Sequence, residues 1–237
     1  MPSLAVLDHY ACIAAGNDLK GAGREGYSHL CSLAHFIRGA LIPIRVGTAR
    51  QPRAHAYGTA MAEQALSWSG LPVVTVRPTV FLEGFFLQLA APGVRASDEL
   101  ALPLGSGKTS PISAVDVARA VAVILDDPAP HIGQIYDLTG PEPVDLDHYA
   151  GVFSEALGRP IRYRDVPLPA WSAGLRQAKF PEHVLRHLTA MAELTRQGRY
   201  DRMTDTMCKL TGEAPTNIRD FVKLHAAEFK QCGPAHS

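Results

Sequence analysis

The chain has 237 residues, with 23 Lys+Arg against 23 Asp+Glu for a formal net charge of zero, and is 46% hydrophobic and 19% charged. That length and balance fit one α/β domain, or a domain with a small subdomain, and exclude a disordered chain. Balanced charge gives no broad electrostatic footprint for nucleic acid or for an anionic membrane surface, so neither is expected as a partner. The cysteines Cys12, Cys31, Cys208 and Cys232 stand far apart with no CxxC pair, which is neither a disulfide framework nor a zinc signature. Reduced thiols, no metal and a cytoplasmic location are the expectation. The opening "MPSLAVLDHYACIAAG" lacks the basic start and long apolar core of a secretory signal. No run reaches the ~18 apolar residues of a membrane span.

Residues 1–53 read as a divergent segment. "GNDLKGAGREGYSHL" contains a literal GxGxxG at Gly21, Gly23 and Gly26. Glycines so spaced let backbone amides approach a pyrophosphate, but only where a buried strand runs into the first of them. No such strand precedes Gly21, and no Asp or Glu falls between Gly26 and Ala62 to hold ribose hydroxyls. A surface loop is the better reading. Arg45, Arg50 and Arg53 fit a solvated basic stretch as readily as a 2′-phosphate site.

From residue 54 the pattern sharpens. "AHAYGTAMAEQALSWSG" places Ala56, Ala60, Ala62 and Leu66 near helical spacing, with Gly70 as the breaker. "LPVVTV" is β-branched and reads as a buried strand of parallel type. "VFLEGFFLQLA" predicts a short helix interrupted by Gly84. "ELALPLGSGKTSPIS" predicts two short strands around a glycine-rich turn. Its "GSGKTS" is no phosphate loop, because Leu102 stands where a glycine is needed and Pro111 follows too soon for a long helix. "AVDVARAVAVILDD" predicts a helix with Val117, Val121, Ile124 and Leu125 on one face and Asp116 as its N-terminal cap. "QIYDLTG" predicts a strand. "DLDHYAGVFSEALG" predicts a helix capped by Asp145 and ended by Gly158. "IRYRDVP" is a further strand. Beyond Pro167 the chain reads as helical. Val184, Leu188, Met191 and Leu194 lie on one stripe. A last helix opens at Thr216 and turns Ile218, Phe221, Val222 and His225 inward.

Strands alternating with helices imply parallel βαβ units. The segments "AEQALSWSGLPVVTVRPTVFLEGF", "ISAVDVARAVAVILDDP", "GQIYDLTGPEPVDLDHYAGVFSEALGRPIRY" and "TNIRDFVKLHAAEF", taken in order, resemble the NmrA-like, atypical short-chain dehydrogenase/reductase group over about residues 54–230. The resemblance implies an α/β fold: a Rossmann-like parallel sheet, incomplete at the N-terminus, with a small, mostly helical C-terminal lobe. On that basis residues 54–140 would be the partial NAD(P)-binding domain and 141–237 the substrate-side lobe. Relatives include NAD(P)H-dependent quinone reductases and redox-sensing regulators without catalysis.

The resemblance also implies site residues. Pro78, Thr79, Val80 and Phe81 would line the nicotinamide end of an NAD(P) site, through backbone amides, the Thr79 hydroxyl and the Phe81 ring. Phe85 and Phe86 would wall a pocket for a flat quinoid or aromatic small molecule. The plainer reading of all three phenylalanines is core. Glu63 reads as structural, bonded to a neighbouring loop or facing solvent, and Glu83 and His55 have structural readings beside any acid/base role.

Two departures weigh against full enzymatic function. No Tyr-x-x-x-Lys pair is present: Tyr57 is followed at the fourth position by Met61, and the alternative register gives His55 and Thr59. The strand and glycine-rich turn that open the family would also need far more than the 62 residues that precede Glu63. The expectation is therefore a missing N-terminal part, with cofactor binding retained or lost accordingly. Open sheet edges would invite homo-oligomers. The alternatives to an NAD(P)H-dependent oxidoreductase are a non-catalytic sensor and a degenerate fragment without cofactor binding.

Overall fold

The computed structural model describes residues 63–230 and the backbone of two earlier strands. In chain order the strands are β1 (Leu33–Ile37), β2 (Ala40–Ile44), β3 (Thr75–Pro78), β4 (Glu99–Leu102), β5 (Ile135–Leu138) and β6 (Arg162–Asp165). The helices are α1 (described over 63–68), α2 (Ala91–Ser97, continuing a π-helical stretch Glu83–Ala90), α3 (Ala114–Asp126) and α4 (Leu146–Leu157). They are followed by α5 (Leu168–Gln177), α6 (Glu182–Arg196), α7 (Thr206–Thr211) and α8 (Ile218–Leu224). The glycines at 21, 23 and 26, the arginines at 45, 50 and 53, and His55, Tyr57, Thr59 and Met61 lie outside the described residues. The chain forms two compact units. The first comprises Met1–Phe81, Pro111–Gly140 and Thr204–Pro215, and the second Leu82–Ser110, Pro141–Met203 and Thr216–Ser237.

In the first unit the sheet order is β1-β2-β3-β5. The strands β1 and β2 form an antiparallel pair that the sequence patterning does not reveal, and β2 joins β3 in parallel at Ile44↔Val76. The β3 and β5 strands run parallel from Thr75↔Ile135 to Pro78↔Leu138. The β-branched run works as expected: Val74 and Val76 are fully buried and meet Leu138, Ile112 and one face of α3. That face is Val117, Ala120, Val121 and Ile124, spaced three to four residues apart as a helix stripe requires. Each such aliphatic contributes about 1.5–3 kcal/mol on full burial. The expected cap needs correction. Ser113, not Asp116, caps α3, its hydroxyl accepting the Val115 N–H at 3.1 Å. Asp116 lies within the first turn, completely buried, and pairs with Arg119 at 2.6 Å. Arg119 also binds Glu213 and so fastens the 204–215 segment, whose Met207 enters the same core.

In the second unit β4 and β6 are parallel, with Glu99↔Arg162 through Leu102↔Asp165 in register. The two-strand hairpin expected over residues 99–113 does not form. Beyond Leu102 the chain turns at Gly105, and Thr109 instead makes an isolated antiparallel bridge to Val144. The reason lies in two close approaches. Gly105, at φ +56°, lies against the Arg196 guanidinium, and Gly107 is pressed so near the Thr195 carbonyl that a Cβ would come within 2.2 Å of its oxygen. The "GSGK" glycines are there to seat the end of α6. Asp145 caps α4 and Gly158 ends it at φ +67°, as expected. The last helix is capped by Asn217 rather than Thr216, because the Asn217 side chain reaches the Asp220 N–H at 2.9 Å. Ile218, Phe221 and Val222 are buried and His225 is half-buried. On α6 the fully buried positions are Leu185, Ala192 and Thr195, a stripe rotated from the one expected.

Candidate functional site

The parallel strands β3 and β5 both end at the carboxyl edge of the first unit's sheet, where ligands of open α/β sheets bind. The chain leaves β3 through Pro78, whose ring fixes the exit. The bend is braced on both sides. Thr79 donates its N–H to Leu138 at 2.9 Å, and the Val80 carbonyl accepts from the Ile112 N–H at 2.9 Å. Phe81 bridges Ile112 and rests its half-buried ring on the core. Pro78 is buried and Thr79 completely so, which turns the Thr79 hydroxyl away from solvent. Val80 is half-buried, and its N–H has no acceptor among the described residues. The outward offering of the bend is therefore the backbone of Val80 with its side chain and the ring of Phe81.

Behind the bend, Arg77 forks onto Glu63, with Nε to Oε1 at 3.2 Å and Nη2 to Oε2 at 2.6 Å. That hydrogen bond, helped by the charges of Glu63 and Asp137 and opposed by burial, raises the Arg77 pKa. Glu63 is thus an ion-pair partner in this structure. At the end of β5 the Thr139 hydroxyl accepts the Thr204 N–H at 3.0 Å, and the Thr204 hydroxyl donates to the Asp137 carbonyl at 2.7 Å. No pattern in the sequence singles out Thr139 or Thr204, since the bonds that join them to each other and to Asp137 span 65 or 67 residues.

The two other candidate aromatics belong to the second unit. Phe86 is fully buried, stacked edge-on to Phe85 (4.8 Å between centroids) and Tyr149 (5.3 Å) and tilted on Phe153 (5.1 Å). Phe85 keeps 8% exposure. Phe86 therefore contributes packing. Burial, reinforced by Glu142 and Asp145, also pushes the Tyr149 phenol well above its usual range, and its hydroxyl donates to the Thr109 carbonyl at 2.9 Å. Glu83 is half-buried at the start of the π-helical stretch.

Two cavities are bounded by described residues other than Pro78–Phe81. One of about 370 Å³ in the first unit is lined by Gln64, Leu71, Thr75, Arg77, Ile132 and Ile135 among others. Another of about 550 Å³ in the second unit adjoins Asp165, Leu168, Glu193 and Arg196. In the latter Arg196 holds both Asp165 oxygens, at 2.8 and 2.9 Å, while Asp165 also accepts the Gly105 N–H and the Tyr163 hydroxyl. Burial opposes ionisation of Asp165, but these donors together hold its carboxyl below the usual range. Among the described residues no group of three or more His, Cys, Asp or Glu could hold a metal ion, and no helix is long and apolar enough to cross a membrane.

No protein-family model matches the chain. It is 30% identical over 167 residues to an NAD(P)H azoreductase of Xenophilus azovorans, a match that covers 70% of this chain and 57% of the relative. The chain thus spans little more than half of that relative's length. Its fold is similar to an NADPH-dependent quinone oxidoreductase of Escherichia coli (TM-score 0.67, 20% identity, 78% of this chain and 67% of that one). It is also similar to NmrA, a negative transcriptional regulator solved with NAD (TM-score 0.55, 17% identity, 77% and 63%). At those identities the two structures speak for the fold alone. The likeness to the azoreductase and the shared fold agree with the resemblance of the ordered motifs between Glu63 and Phe229 to the NmrA-like, atypical short-chain dehydrogenase/reductase group.

Proposed function

We propose that the protein binds NAD(P) with the nicotinamide end at Pro78–Phe81 and serves NAD(P)H-dependent reduction of a quinone or similar small acceptor. The observation that carries this reading is the braced bend at the carboxyl edge of β3, which leaves the half-buried Val80 N–H without a described acceptor. That N–H is a donor that a carboxamide oxygen would meet. Phe81 would offer an apolar edge beside the ring. The chemistry NAD(P)H supplies when bound is a hydride with its electron pair, leaving NAD(P)+; a quinone that takes it with a proton from water leaves as the hydroquinone. This chain's own residues hold and orient: Pro78 fixes the bend, Val80 positions the carboxamide, and Phe85 and Phe86 stiffen the segment that follows. The azoreductase relative and the quinone oxidoreductase fold support both the cofactor and the acceptor class.

The test is fluorescence titration with NADH and NADPH, followed by cofactor consumption against a panel of quinones and azo compounds. Saturable binding with acceptor-dependent oxidation is expected. Binding without turnover would leave a cofactor sensor, and absence of binding would end the proposal.

A further inference from the structure

We infer that Thr204 is a positioning residue for the nicotinamide end of the site, an inference that rests on the function proposed above. The segment Thr204–Pro215 returns to the first unit late in the chain and is anchored at two separate places. Its far end is fixed by Glu213 on Arg119, which also pairs with buried Asp116, and by Met207 in the core. Its near end is fixed at the carboxyl edge itself. There Thr204 closes a ring of hydrogen bonds: its N–H to the Thr139 hydroxyl, its hydroxyl to the Asp137 carbonyl, and the Thr139 hydroxyl onward to the Gly140 carbonyl at 3.0 Å.

Asp137 and Leu138 are the β5 residues paired with Arg77 and Pro78, and Leu138 supplies the carbonyl that holds the Thr79 N–H. The two turns that leave the sheet, Pro78–Phe81 and Thr139–Gly140, are thus set by one ladder, with Thr204 locking its outer strand. The Asp137 carbonyl is where β5 would otherwise fray, since β5 is the last strand of its sheet. Losing the Thr204 hydroxyl would free the edge by one hydrogen bond and leave that carbonyl without this donor. The expected consequence is a wider, less ordered bend, read as weaker cofactor binding.

The experiment compares the full chain with Thr204→Val, Thr204→Ser, Thr204→Ala and, at the far anchor, Glu213→Gln. NAD(P)H dissociation constants and, with a quinone acceptor, KM for NAD(P)H against kcat are measured beside melting temperatures. Thr204→Val is expected to weaken NAD(P)H binding about five-fold, the equivalent of one ordinary hydrogen bond. Its KM should rise more than its kcat falls. Thr204→Ser should restore both, and Glu213→Gln should lower the melting temperature without moving the dissociation constant. Thr204→Ala, which keeps the backbone bond to Thr139, gives the same reading should the valine variant not fold. If the threonine variants melt earlier yet bind NAD(P)H as the parent does, Thr204 is scaffold and the inference is wrong. If the parent chain itself binds no NAD(P)H, the underlying functional reading fails and this inference goes with it.

Discussion

Replacing Gly107 by alanine is the sharpest test of why "GSGKTS" has its glycines. A Cβ at 107 would lie 2.2 Å from the Thr195 carbonyl oxygen, 2.6 Å from its carbon and 3.0 Å from the Arg196 nitrogen. All three are backbone atoms of the last turn of α6, so no side chain can swing away. Reaching ordinary contact near 3.4 Å requires the loop and the helix end to part by about 1.2 Å, the difference between 3.4 and 2.2. Overpacking of that kind costs about 1–3 kcal/mol. The shift also pulls Arg196 from Asp165, a half-exposed pair that adds ~0–1 kcal/mol. The expected loss is about 1–4 kcal/mol, large against a typical total of ~5–15 kcal/mol. Two comparators fix the scale. At Gly105 the neighbours are the tip of the flexible Arg196 side chain at 3.1–3.3 Å, but φ is +56°, so Gly105→Ala should cost about 1–2 kcal/mol from the backbone alone. At Gly84, in the first turn of the π-helical stretch, a Cβ meets nothing within 4 Å, so alanine there should be tolerated without measurable loss. Urea melts followed by circular dichroism give the three values. A Gly107→Ala loss under about 0.5 kcal/mol would refute the reasoning, because the predicted cost rests on that backbone contact alone.

Phe86→Ala should destabilise by about 3–5 kcal/mol, the cost of emptying a fully buried aromatic site, whereas Phe85→Leu should be milder; urea melts check both. Asp116→Ala should cost more stability than Glu213→Ala in the same assay, because Asp116 is completely buried beside Arg119 while the Glu213 side chain is 67% exposed. Acidification should weaken the Asp165–Arg196 cluster. Its folded carboxyl titrates below the unfolded value, so its stabilisation is complete above about pH 4 and fades as pH falls through the folded value. The difference in urea midpoint between the parent and Asp165→Ala should therefore shrink between pH 6 and pH 3, and a constant difference would count against the assignment.

What could be read from the chain was what local chemistry decides. β-Branched "VVTV" made β3, the three- and four-residue spacing of Val117, Val121 and Ile124 made α3, and Asp145 with Gly158 bounded α4. Caps misread by one to three residues, Ser113 for Asp116 and Asn217 for Thr216, show the limit of residue-type rules when two good caps stand close together. The hairpin over 99–113 failed for a different reason. The partner of β4 lies some sixty residues on, in β6, and Gly107 is pressed against the end of α6 instead of joining a local strand pair. The carboxyl-edge bend was legible from "VRPTVF", but the groups that brace it, Ile112, Leu138 and Thr204, are distant in sequence and carry no motif. Phe86 had core as its plainer reading and pocket wall as the other, because aromaticity marks burial without saying against what.

The order in which the ribosome releases this chain now acquires a meaning. Met207 and Glu213 complete a unit whose sheet and α3 were finished by Gly140, while the stretch from Pro141 to Met203 is spent elsewhere. The nascent sheet must therefore wait, with an apolar notch uncovered, for more than sixty further residues to emerge before its own last piece arrives. A chain ending before Met207 would leave that notch open for chaperones or for aggregation.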